Sequence, residues 1–78
     1  MLRQWLNPAK ARYYSVSLQQ DLLGDWILDA TWGSTLTQRG GMRRTLLEDR
    51  AQGLAKVEDI AKRRRWRGYH EVTRPVVS

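Results

Sequence analysis

Alternation of apolar and polar residues with a period of two dominates the first half of the chain. Residues 12–18 read Arg-Tyr-Tyr-Ser-Val-Ser-Leu, which puts Tyr14, Val16 and Leu18 on one side and Tyr13, Ser15 and Ser17 on the other. That is the pattern of a half-buried strand. Residues 26–32 alternate in the same way, with Trp26, Leu28, Ala30 and Trp32 sharing a face. Between the two, Gln19-Gln20-Asp21 and Gly24-Asp25 read as a polar hairpin connection. A weaker alternation over residues 2–6 sets Leu2, Gln4 and Leu6 against Arg3 and Trp5, a short strand that Asn7-Pro8 breaks. Residues 33–41 read as a loop or wide turn in which Gly40-Gly41 permits positive φ, and residues 42–47 as a third long strand.

The period then lengthens. Ala51, Leu54, Ala55, Val57, Glu58 and Ala61 recur at spacings of three and four, with Ile60 beside them, which predicts an amphipathic helix. Asp49 is placed to cap its start, and Glu48 and Asp49 both favour the positive helix end. Gly53 is the weak point, since a mid-helix glycine costs about 1 kcal/mol against alanine. Lys62, Arg63, Arg64 and Arg65 fill the last turns, and Gly68 sits where a glycine ends a helix. Tyr69-His70-Glu71-Val72-Thr73 reads as a closing strand ended by Pro75. The expected fold is α+β: an antiparallel sheet of about four to five strands packed against one helix. It forms a single domain over residues 1–78, with a core at about 2–73 and a tail at 74–78.

Composition narrows the class. With 78 residues there is room for one small core, and with no cysteine there is neither a disulfide nor a cysteine zinc site. Four Trp and three Tyr, with no Phe, leave amphipathic rings to fill much of that core. No signal-peptide core opens the chain, and its longest apolar run, Trp26-Ile27-Leu28, is far too short for a bilayer. A cytoplasmic protein with no membrane association is expected. The net charge of +6 is unevenly placed: residues 1–38 hold three cations and three anions, residues 39–78 eleven cations against five anions. Eleven of the 14 cations are Arg, the better residue for bidentate phosphate contact. That asymmetry points to a polyanionic partner.

In order along the chain, Arg12-Tyr13-Tyr14-x-Val16-x-Leu18, Asp21-Leu22-x-Gly24-x-Trp26, Trp32-Gly33 and Arg65-x-Arg67-Gly68-Tyr69 resemble the WGR domain family. The match runs from about residue 2 to residue 72 and is closest to small stand-alone bacterial members, which carry no enzymatic domain. The resemblance implies a twisted antiparallel sheet packed on one helix. The WGR module of DNA-dependent poly(ADP-ribose) polymerases binds near the end of a DNA break, and its motif tryptophan packs on a terminal sugar. That role would fall on Trp32. The third motif residue is Arg in the family, where it contributes DNA and interdomain contacts in the polymerases. This chain has Ser34 there, so the resemblance carries no such contact over.

Each candidate residue has a plain structural reading beside the functional one. Trp32 is either a core residue, by its alternation with Trp26 and Leu28, or a strand-end ring exposed for stacking on a sugar or base. Lys62, Arg63, Arg64, Arg65 and Arg67 either compensate the helix dipole or bind phosphate, and they outnumber what a dipole needs. Arg39, Arg43 and Arg44 form a second basic group. Alternation sends Arg43 and Arg44 to opposite faces, so at most one of them joins Arg39. Trp66 either anchors the helix end or lies on the surface, whereas Trp5, Trp26, Tyr14 and Tyr69 read as core. His70 has no partner histidine or cysteine, and no nucleophile motif or phosphate-cradling glycine loop is present. The expectation is a non-enzymatic nucleic-acid-binding module without metal or cofactor, DNA being favoured over RNA, acting as a monomer or weak homodimer. The alternative is a protein-interaction module that docks an acidic partner or a second copy of itself.

Overall fold

The computed structural model describes residues 1–72. The proposed tail at 74–78, Thr73 and Pro75 lie outside them. Five strands and one helix follow the order β1 (Leu2–Asn7), β2 (Arg12–Gln20), β3 (Trp26–Ser34), β4 (Gly40–Leu47), α1 (Arg50–Trp66) and β5 (His70–Val72), with a 3-10 turn over Pro8–Lys10. The strands make one antiparallel sheet in the order β4-β3-β2-β1-β5. The α+β expectation holds. No helix among the described residues is long and apolar enough to cross a membrane.

Register decides which side chains meet the helix. Val16 faces Ala30, Leu18 faces Leu28, Tyr14 faces Trp32 and Trp26 faces Leu47 across neighbouring strands. These residues share one face, and Val16, Leu18, Leu28, Ala30 and Leu47 are buried there with Trp5, Val57 and Ala61. Tyr14, Trp26, Leu54, Ile60 and Tyr69 pack around this cluster, as the alternation of the two long strands predicts for Tyr14 and Trp26. In β1 the helix-facing set is Arg3, Trp5 and Asn7, and Leu2, Gln4 and Leu6 belong to the opposite face.

Turn chemistry follows the sequence closely at three places. Asp21 Oδ1 accepts from the backbone N–H groups of Leu23 and Asp25, both at 2.9 Å, and Gly24 takes φ +88 to close the β2–β3 hairpin. Asp49 caps α1 by accepting from the Gln52 N–H at 2.8 Å, and Gln52 Oε1 accepts in return from the Glu48 N–H. Gly68, at φ +86, reverses the chain after the helix. Asn7 does more than break β1. It is buried, its Oδ1 accepts from the Lys10 N–H, and its Nδ2 donates to the Arg67 carbonyl at 3.2 Å. One side chain thereby ties the 3-10 turn to the helix end.

Two expectations are corrected. Residues 33, 34, 40 and 41 are paired strand rather than loop, with Gly33 opposite Gly40 and Trp32 opposite Gly41. Neither Gly40 nor Gly41 has positive φ. What they share is crowding, since a Cβ at Gly40 would lie 2.3 Å from the Trp32 carbonyl oxygen. The helix stripe also differs. Gly53, Val57 and Ala61 are the buried positions, whereas Ala51, Ala55 and Glu58 are exposed. Gly53 is therefore a close-approach point, where a Cβ would come within 2.5 Å of Leu18 Cδ1 and 2.9 Å of Leu47 Cδ1.

Ion pairs lock the short β5 in place. Arg3 donates from Nε and Nη2 to the two carboxylate oxygens of Glu71 at 2.9 and 2.7 Å, and from Nη1 to Glu58 at 2.8 Å. One guanidinium joins β1, β5 and α1. Hydrogen bonding from Arg3 holds the Glu71 carboxyl below its ordinary range.

Two outcomes are expected. A depressed carboxylate contributes stability above its unfolded pKa of about 4.3 and loses that contribution as pH falls toward the folded value. Glu71→Gln should therefore lower stability at pH 7 by no more than about 1 kcal/mol, because the pair is solvent-screened. Denaturant melts should show the difference from wild type shrinking only once pH falls below about 4.3, and vanishing below the depressed folded-state pKa of Glu71; a difference constant with pH would contradict the Arg3–Glu71 pairing. Gly53→Ala should reduce thermal stability. Its helix-propensity gain of about 1 kcal/mol is outweighed by overpacking against two buried leucines, about 1–3 kcal/mol. A raised Tm would show that the leucines yield freely.

Candidate nucleic-acid interface

The helix leaves one corner of its sheet face uncovered. Its N-terminal turns lie over Leu18 and Leu47, and its last turns reach Tyr14, Tyr69 and Asn7. The corner where Trp32 and Arg43 stand becomes an open cleft of about 760 Å³. Five cations line it: Lys10, Arg12, Arg39, Arg43 and Arg64. No carboxylate is among its lining residues.

Trp32 forms part of this cleft, and its seat is built from absences. On one side the Gly41 position has no side chain, and a Cβ there would lie 2.9 Å from indole Cζ2 and 3.0 Å from Cε2. On the other side the indole lies nearly parallel to the Tyr14 ring, with centroids 6.0 Å apart at 15°. Tyr14 in turn meets Trp5 edge-on at 6.3 Å. Trp32 as a residue retains 36% exposure, so it is neither a buried core residue nor a free surface ring. Gly33 serves the other face, where a Cβ would crowd Tyr13 at 3.1 Å and the Arg39 carbonyl at 2.7 Å.

The turn between β3 and β4 sets where Arg39 emerges. Ser34 Oγ accepts from the N–H groups of Leu36 and Thr37 at 3.0 and 3.2 Å, and the Ser34 N–H donates to the Arg39 carbonyl at 2.9 Å. Thr37 Oγ1 accepts from the Arg39 N–H. Arg43 pairs with Ala30 and so stands on the helix face of β4. Arg44 turns to the other face and makes a two-point ion pair with Asp29 at 2.8 and 3.0 Å. Of this basic group, Arg39 and Arg43 join Trp32, and Arg44 does not.

The helix-end cluster divides in three. Arg64 enters the cleft, where its guanidinium carbon lies 4.4 Å from the Tyr14 ring centroid and 5.1 Å from that of Tyr69. Lys62, Arg63 and Arg67 surround Trp66, which is 92% exposed, in a shallow groove. Arg65 lies beside Trp5, Tyr69, His70 and Glu71. Two cleft cations come from the charge-neutral first half. Arg12 alternates onto the same face as Tyr14, a signal present in the sequence. Lys10 arrives through the 3-10 turn, which the sequence pattern does not announce. Among the described residues no group of three or more His, Asp or Glu gathers as metal ligands. No family model, curated protein or solved structure matches the chain.

Replacing Gly41 by alanine should unseat the indole at a modest cost in stability, about 0.5–1.5 kcal/mol for a displaced rotamer. The expected readout is a shift of the Trp32 indole N–H resonance and a changed near-ultraviolet circular dichroism spectrum. An unmoved resonance would show that Gly41 does not set the ring's position.

Proposed function

We propose that the chain is a WGR-like, non-enzymatic nucleic-acid-binding module that holds DNA phosphates with little sequence preference. The observation that carries this reading is the cleft in which five cations, without a carboxylate, surround a partly exposed tryptophan. Cations without internal counter-charges favour a polyanion, and an indole beside them offers a surface for a sugar or base. Arg predominates over Lys there, which suits planar, two-point contact with phosphate oxygens. A second groove around Trp66, lined by Lys62, Arg63 and Arg67, adds further cations outside the cleft. The resemblance of Trp32-Gly33 and of Arg67-Gly68-Tyr69 to the family's motifs favours DNA over RNA and a strand end over a continuous duplex. Ser34, whose hydroxyl is engaged in its own turn, supplies no charge at the position where the family has Arg. The lack of cysteine suits a cytoplasmic setting.

A protein-docking role draws on a different face. Leu2, Met42 and Leu46 stand exposed on the side of the sheet away from the helix. A partner bound there would leave the cleft open. Loss of partner binding on Leu46→Asp, with DNA binding unchanged, would identify that role.

Titration of the full chain with blunt and nicked DNA duplexes and with an RNA duplex tests the main reading. Each cleft cation that meets a phosphate contributes about 0.9 to the salt slope. Five such contacts lower affinity about 500-fold between roughly 50 mM and roughly 200 mM salt. Trp32→Ala should weaken binding to ends and nicks more than to duplex interiors. No detectable binding at about 50 mM salt would overturn the reading.

A further inference from the structure

Arg64 differs from the other cations in the second half of the chain. The buried positions of α1, Gly53, Val57 and Ala61, lead along the helix to residue 64, so this arginine leaves from the core side. Its backbone carbonyl accepts from the Tyr69 N–H at 2.9 Å, which folds Tyr69 back against its own side chain. Tyr14 on β2 closes the other side. The guanidinium thus packs against two rings, one on β2 and one in the connection between α1 and β5, and the nearer ring also lies against Trp32.

Its electrostatic position is unusual as well. The Arg64 Nε is buried and has no hydrogen-bond partner. Among the described residues, ion pairs form between Arg3 and Glu58, Arg3 and Glu71, and Arg44 and Asp29, none of which involves Arg64. A partly desolvated cation without a counter-charge is costly, and an anion placed against it offsets that cost. Arg64 lines a cleft whose other charged residues are all cations. An arginine already fixed by aromatic packing loses little rotamer freedom on binding, unlike the exposed Arg63, Arg65 and Arg67.

We propose that Arg64, clamped between Tyr14 and Tyr69, is the fixed ligand for a single phosphate group in the cleft. Arg12 and Arg43, which line the same cleft, complete its charge. The site is a preorganised phosphate pocket, whereas the exposed helix-end cations supply a diffuse field around it. For the identity of the phosphate's carrier, a polynucleotide, the inference rests on the nucleic-acid reading.

The test follows the Arg64 Nε–H and Trp32 indole N–H resonances of the isotope-labelled full chain. Probes are inorganic phosphate at low ionic strength and a short DNA duplex with a free end. Both resonances should shift saturably with each probe. Arg64→Lys keeps the charge but loses the planar fork, and should weaken duplex binding about tenfold, whereas Arg50→Lys, at the exposed start of α1, stays within about twofold. Amide dispersion of each variant confirms its fold, and the wild-type titrations stand without any variant. Duplex binding that leaves the Arg64 resonance unmoved overturns the pocket and keeps the nucleic-acid reading, as does a folded Arg64→Lys variant that binds like wild type. Shifts with phosphate but none with duplex keep the pocket and overturn the nucleic-acid reading. No shift with either probe overturns both.

Discussion

One helix has to cover a sheet of five strands. A helix of 17 residues is about 25 Å long, and strands of nine residues run about 30 Å. The helix therefore protects only part of one face, and it must sit close where it does. Gly53 grants the close approach over Leu18 and Leu47. The consequence appears at the far corner, where the sheet has no helix above it. There the protein covers its backbone with flat groups, an indole over Gly41 and a guanidinium between tyrosines. Incomplete coverage is what creates a cleft in so small a protein.

Tyr14 connects the two halves of this arrangement. It contacts Trp5 in the core, Trp32 in the cleft and Arg64 from the helix. Its ring supplies apolar area to the interior and a negative π-face to a cation, two properties that phenylalanine would share. Core packing and cleft geometry are consequently one problem. A change that loosens Trp5 moves the ring that positions both Trp32 and Arg64.

The two long strands were legible because each has a clean period, and the helix because its two ends carry clear signals. Tyr14, Val16 and Leu18, then Trp26, Leu28, Ala30 and Trp32, sort to one face by alternation alone, and Asp49 and Gly68 mark the helix ends chemically. The glycines misled for a physical reason. Gly33, Gly40, Gly41 and Gly53 read as loop or weakness because a sequence shows a missing side chain but not the neighbour that fills its place. Alternation separates Arg43 from Arg44, yet only pairing with Ala30 and Asp29 reveals which one faces the helix. Arg64 was readable in principle, since the spacing from Val57 and Ala61 lands on it. Within a run of four cations, charge hides periodicity. Lys10 depended on a 3-10 turn and on the pairing of Arg12 with Asn7, both tertiary in origin.

The placement of β5 beside β1 carries a kinetic meaning. The hairpins β2–β3 and β3–β4 join neighbours in sequence, so their closure is local. Arg3 and Glu71 are 68 residues apart, and their pairing encloses nearly the whole chain in one loop. Tyr69 belongs to that long-range closure, and with it one jaw of the guanidinium clamp. An anion held at Arg64 therefore acts as a fastener on this seam, and its occupancy raises the free energy needed to open it. In so small a domain, ligand and architecture share the same hinge.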